Sequence, residues 1–154
     1  MSLPAIVRNR FWPLREIGSV ADLAVFARVA SFAAIVPVIM RLPLPMVAAL
    51  LERASRPRPR GNQVSPEQLS RFVEVASVLA GPVVKTGCLT RGVTMYRFLR
   101  RSGMDVDLCF GIDPELGHAA DGHCWLALNG EPYLEKVDPR ERFAEVYRLP
   151  LAAA

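Results

Sequence analysis

Apolar residues recur at two different spacings along this chain, and the change from one to the other orders it. Up to Arg101 they fall three and four apart, as on one face of a helix; from Asp105 to Ile112 they alternate, as on a strand. Ser19 caps a helix expected from Val20 to about Val36, where Pro37 ends or kinks it, with Leu23, Phe26, Ala27 and Ala30 on one face. Leu44 to Arg53 reads as a second helix with Pro45 in its first turn. Ser65-Pro66-Glu67-Gln68 resembles a capping box and opens a third, expected to run to Leu79 with Leu69, Phe72, Val73, Ala76 and Leu79 inward, until Gly81-Pro82 stops it. The fourth starts at Gly87 or Cys88 and runs through Arg101. Leu89, Val93, Tyr96 and Leu99 or Arg100 set its period, and Gly103 is placed for a left-handed stop.

Three strands follow: Asp105 to Ile112, Gly122 to Leu128 and, after the turn at Asn129-Gly130, Glu131 to Val137. Pro132 marks the last as an edge. Asp113 to Asp121 is a loop. The tail from Asp138 reads as coil, or as a return in which Val146, Tyr147 and Leu149 cover the sheet. Met1 to Gly18 is an irregular arm or a short helix from Leu14. Helices followed by antiparallel strands make the fold class α+β.

Composition adds three constraints. The chain has 154 residues, 51% of them apolar, which suits one core-forming unit with an appendage. The Ala54 to Gln63 stretch, with Arg-Pro-Arg-Pro-Arg at its centre, is the best boundary, dividing a helical region with linker (1–62) from a core (63–154). The net charge of +4 is too small and too scattered to argue for nucleic acid. The most apolar stretch, Val29 to Met40, is twelve residues long, below the roughly 20 needed to span a bilayer. It reads as a buried core helix, or as one resting on a membrane or partner surface. Three cysteines and no evident secretory signal imply free thiols and a cytoplasmic setting.

The candidate chemistry lies where helix gives way to strand. Cys88 sits at a helix start, where free N–H groups favour a thiolate; it reads as a nucleophile or as a small buried hydrophobe. His123 begins a strand and reads as the base that takes the thiol proton or as a structural histidine bonded to backbone. The third member depends on the turn. A three-residue turn (Leu128-Asn129-Gly130) sets His123 opposite Glu135, the favoured partner. A two-residue turn flips Glu135 to the other face and makes Asp138 the better one. His118 lies in the polar loop. Cys109 and Cys124 lack the spacing of a metal site with Cys88 and read as packing residues. No metal and no cofactor is implied.

Cys88-Leu89-Thr90-Arg91-Gly92, then Arg100-Arg101-Ser102-Gly103, then a strand ending Phe110-Gly111-Ile112, then His123-Cys124-Trp125-Leu126-Ala127-Leu128-Asn129-Gly130, resembles the transglutaminase-like cysteine peptidases of lasso-peptide biosynthesis. These are the leader peptidases, or B component. The resemblance covers roughly residues 65 to 150 and, more weakly, the helical N-terminal third. Cys124 stands where that family usually has alanine, Glu135 where it usually has aspartate, and a tryptophan common just before the nucleophile is missing. The resemblance implies a papain/transglutaminase-like core in which Cys88 attacks the bond joining leader to core of a ribosomally made precursor peptide, His123 shuttles the proton and Glu135 holds His123. It also implies a leader-recognition protein, expected here to be separate because the N-terminal segment reads as helical, and a macrolactam synthetase as pathway neighbour. An acyltransferase or amidase on the same fold, and a non-catalytic peptide-binding scaffold, are the rival readings.

Overall fold

The computed structural model describes residues 18–57, 65–80, 87–115 and 122–150, with backbone alone for 77–80. The N-terminal arm, the centre of the Arg-Pro segment, the Gly81-Pro82 stop, His118 and the Leu79 side chain lie outside the described residues.

Four helices come first. α1 spans Val20–Ile39 and starts at Ser19, whose hydroxyl accepts from Asp22 N at 3.1 Å. It runs through Pro37 instead of ending there and closes when Met40 N–H donates to Val36 O. Its buried stripe is Val25, Val29, Phe32, Val36 and Ile39, while Leu23 and Ala27 of the expected face point outward. The helix is apolar nearly all round, so its own sequence does not single out an inner face. α2 (Leu44–Ala54) buries Val47, Ala48 and Leu51. α3 (Pro66–Ala80) opens with Gln68 N donating to Ser65 Oγ at 3.1 Å and buries Leu69, Phe72, Val73 and Ala76. Gln68 also reaches Asp22 of α1 at 3.1 Å, tying the two helix starts together. α4 (Cys88–Arg101) buries Val93, Tyr96 and Leu99, and Gly103 at φ +95° ends its turn.

The sheet has four antiparallel strands in the order β3-β2-β1-β4: β1 Val106–Ile112, β2 Gly122–Leu128, β3 Glu131–Tyr133 and β4 Ala144–Leu149. The expected three become four because the tail returns as an edge strand, pairing Leu149 with Leu108. Leu108, Leu126 and Leu149 fill one sheet face and join Val29, Leu51, Phe72 and Tyr96 in a single buried cluster. That cluster draws on helices from both sides of the Arg-Pro segment.

The β2–β3 turn corrects the register expected for Glu135. Leu128 pairs with Glu131, so the loop is Asn129-Gly130 alone, both at positive φ (53° and 84°), as the two-residue hairpin turn demands. β3 then stops after Tyr133, well short of Val137, because Leu134 takes the left-handed conformation (φ 58°) and turns the chain out of the ladder.

Candidate active site

Close helix-to-sheet packing places the thiol. α4 lies against β2 at Gly92, where a Cβ would come within 2.7 Å of Cys124 Sγ and 3.2 Å of a Leu108 methyl. Only a glycine lets the helix sit this near the strand. Its first residue, Cys88, thereby meets the first residue of β2. The half-buried thiol donates to Gly122 O at 3.8 Å, one peptide before His123. Gly87 caps the helix with extended backbone and no side chain, and a Cβ there would meet nothing within 4 Å. Among the described residues nothing crowds Gly87, and Gly87 supplies no side-chain acceptor for the first-turn N–H groups.

His123 is held by rings. Its imidazole stacks on Phe143 (centroids 5.0 Å, 27° between planes) and on Trp125 (6.1 Å, 16°). Trp125 shares its strand face at period two. The imidazole Nε2 lies 3.9 Å from Glu135 Oε2. The Cys88 thiol therefore lies against the carbonyl that precedes His123, and its hydrogen bond runs to that carbonyl.

Glu135 reaches His123 by a route the strand register does not supply. The left-handed Leu134 redirects the chain, and Arg91 catches it: Nη1 lies 2.8 Å from Glu135 Oε1 and Nη2 donates to Leu134 O at 2.7 Å. One carboxylate oxygen is bound to the guanidinium and the other faces the imidazole. Asp138, the alternative, is turned to other work. It accepts from Arg140 N at 2.9 Å, capping a short 3-10 turn at Pro139–Glu141, and its carboxylate takes the Arg140 guanidinium. Those bonds hold its carboxyl below the usual aspartate value.

Arg91 is the residue that reading for catalytic groups passed over. It stands three positions after Cys88, so both project from the same side of the first turn. A cation there opposes the helix dipole, and that misfit was the available signal of a partner carboxylate.

The other two thiols are shut away. Burial pushes the Cys109 thiol up to about 12 and Cys124 well above the ordinary value. Both stay protonated at neutral pH. Asp113, at the end of β1, accepts from Arg142 Nε at 2.8 Å and from Glu115 N at 2.9 Å, bonds that lower its pKa. This pair anchors the segment that carries Phe143 under His123. A cleft of about 450 Å³ opens between α1 and the C-terminal half of α4, lined by Phe32, Phe98 and Arg28 among others. Cys88, His123 and Glu135 are not among its lining residues.

No curated protein and no solved structure matches the chain. A family model does, over residues 26–148, most of its length. Its description is the transglutaminase-like superfamily, which generally comprises cysteine-dependent enzymes. A cysteine at a helix start against an antiparallel sheet is the α+β arrangement expected of it, and the chain belongs to the transglutaminase-like superfamily.

Proposed function

We propose that the protein is a cysteine peptidase that removes the leader from a ribosomally made lasso-peptide precursor. The observation that carries the chemistry is the meeting of Cys88, at a helix start whose Gly87 cap has no side chain, with the Gly122-His123 end of β2, where Glu135 faces the imidazole. The Cys-Leu-Thr-Arg and His-Cys-Trp frames around that pair support the substrate assignment.

Nε2 of His123 faces Glu135, which leaves Nδ1 to take the thiol proton. Sγ then adds to the carbonyl carbon that ends the leader. First-turn N–H groups of α4, that of Cys88 included, receive the oxyanion. The C–N bond breaks, the imidazolium gives its proton to the departing amine of the core peptide, and the leader remains as a thioester on Cys88. Water, deprotonated by His123, hydrolyses the thioester and restores the thiol.

The partners belong to the same reading: a precursor peptide, a separate leader-recognition protein that presents it, and a macrolactam synthetase that consumes the released core. Incubating the full chain with a precursor and its recognition protein tests the reading by mass spectrometry. A leader ending in a free acid supports it. An amide adduct with an added amine reassigns the protein as an acyltransferase, and an intact precursor with every component present rejects the reading.

A further inference from the structure

The first helical hairpin exposes apolar side chains at its tip. Ile35 (52% exposed) and Val38 (59%) end α1, Leu42 lies in the connection, and Leu44 and Met46 (56%) begin α2. Exposed patches of this kind mark a surface that meets something other than water. Among the described residues of this hairpin, the exposed charge has one sign. Between residues 18 and 57 the exposed charged residues are Arg28, Arg41, Arg53 and Arg56, whereas Asp22 and Glu52 are partly buried and Asp22 is bonded to Ser19 and Gln68. Residues 20–60 carry six arginines against two acids, a surplus equal to the net +4 of the whole chain.

We propose that the α1–α2 tip docks on an anionic lipid bilayer, with Val38, Leu42 and Met46 in the headgroup–acyl boundary and the arginines against lipid phosphates. Exposed apolar residues on a hairpin whose exposed charges are cations are what an interfacial helix requires, and Arg41 lies in the connection itself. α1 is long and apolar enough to cross a bilayer. It nevertheless lies along the surface, because Val25, Val29, Phe32, Val36 and Ile39 are part of the same buried cluster as Tyr96 and Leu99 of α4. Crossing would strip that stripe from the core. The inference is independent of the peptidase reading.

Sedimentation of the full chain with vesicles tests it. The chain co-sediments with vesicles of phosphatidylcholine mixed with phosphatidylglycerol and much less with phosphatidylcholine alone. The Arg41→Glu/Arg53→Glu variant binds the mixed vesicles at least about tenfold more weakly, and Leu42→Ser/Met46→Ser weakens binding to both. Circular dichroism confirms the fold of each variant, and the charge-reversal pair, which leaves every apolar contact in place, carries the test if the other misfolds. Absence from every vesicle pellet, or equal binding to neutral and anionic vesicles, overturns the proposal. A dimer in solution that ignores vesicles does too, and makes the tip a contact between copies.

Discussion

Arg91 binds one oxygen of Glu135 at 2.8 Å and leaves the other 3.9 Å from His123 Nε2. The helix that bears the thiol therefore also sets the carboxylate that faces the imidazole. Arg91→Ala frees Glu135 to swing away and is expected to slow leader release by about tenfold to a hundredfold, less than the ~10²–10⁴ that an acid–base group itself contributes. Arg91→Lys restores part of the loss, because an ammonium can pair with Glu135 but cannot fork to Leu134 O as well. A turnover number unmoved by Arg91→Ala removes it from the mechanism.

The two acids near the site should separate in the same assay. Glu135→Gln weakens the hold on the imidazolium and lowers turnover. Asp138→Asn loosens the Arg140 cap and leaves turnover near that of the wild type. Equal losses from the two substitutions would contradict the assignment of Glu135.

Alkylation of the native protein should stop at one thiol. Cys109 is fully buried and Cys124 nearly so, and burial raises the pKa of both; Cys88 is half-buried at a helix start. Iodoacetamide followed by peptide mapping is expected to find Cys88 alone, and all three sites after denaturation. Label on Cys124 before unfolding would show that the α4–β2 packing opens.

The Asp113–Arg142 pair predicts how stability depends on acid. Its hydrogen bonds lower the folded-state pKa of Asp113, so its stabilisation is present above the unfolded value near pH 4 and is lost as pH falls through the lower folded value. Asp113→Asn should therefore lower the urea midpoint at neutral pH, and the difference should close in strong acid. A difference independent of pH would locate the effect elsewhere.

Gly92→Ala tests the close approach that brings Cys88 to β2. The added methyl meets Cys124 Sγ at 2.7 Å, and overpacking of this kind costs about 1–3 kcal/mol. Gly92→Ala combined with Cys124→Ala should recover most of the loss, because the smaller side chain vacates that space. No recovery would mean that the sheet, and not Cys124, resists the methyl.

How much the sequence discloses follows from what each signal depends on. α3 and α4 are legible because Ser65 and Gly87 mark their starts and their apolar stripes face a single core. α1 is legible as a helix but not in orientation: nearly every residue is apolar, so the choice of Val29 and Val36 over Leu23 and Ala27 is made by the helices it meets. Pro37 misleads because a surface helix near its end tolerates one lost hydrogen bond. The Cys88 and His123 positions are readable from their places at element starts. Glu135 reaches His123 although the register argument for it fails, since the turn has two residues. A left-handed leucine and an arginine one helical turn beyond Cys88 bring it there, and neither is visible in strand periodicity. β4 is similarly hidden, because Glu145 and Arg148 interrupt its apolar residues and pair with each other across the strand surface at 2.7 Å.

The central claim is that Cys88 carries the acyl group. Intact-mass spectrometry of the full chain, quenched in acid during turnover of the precursor with its recognition protein, tests it most directly. The account predicts an adduct equal to the leader acyl mass, mapped to Cys88 and removed by hydroxylamine, and no adduct or leader release with Cys88→Ala. Leader release by Cys88→Ala at the wild-type rate would contradict it.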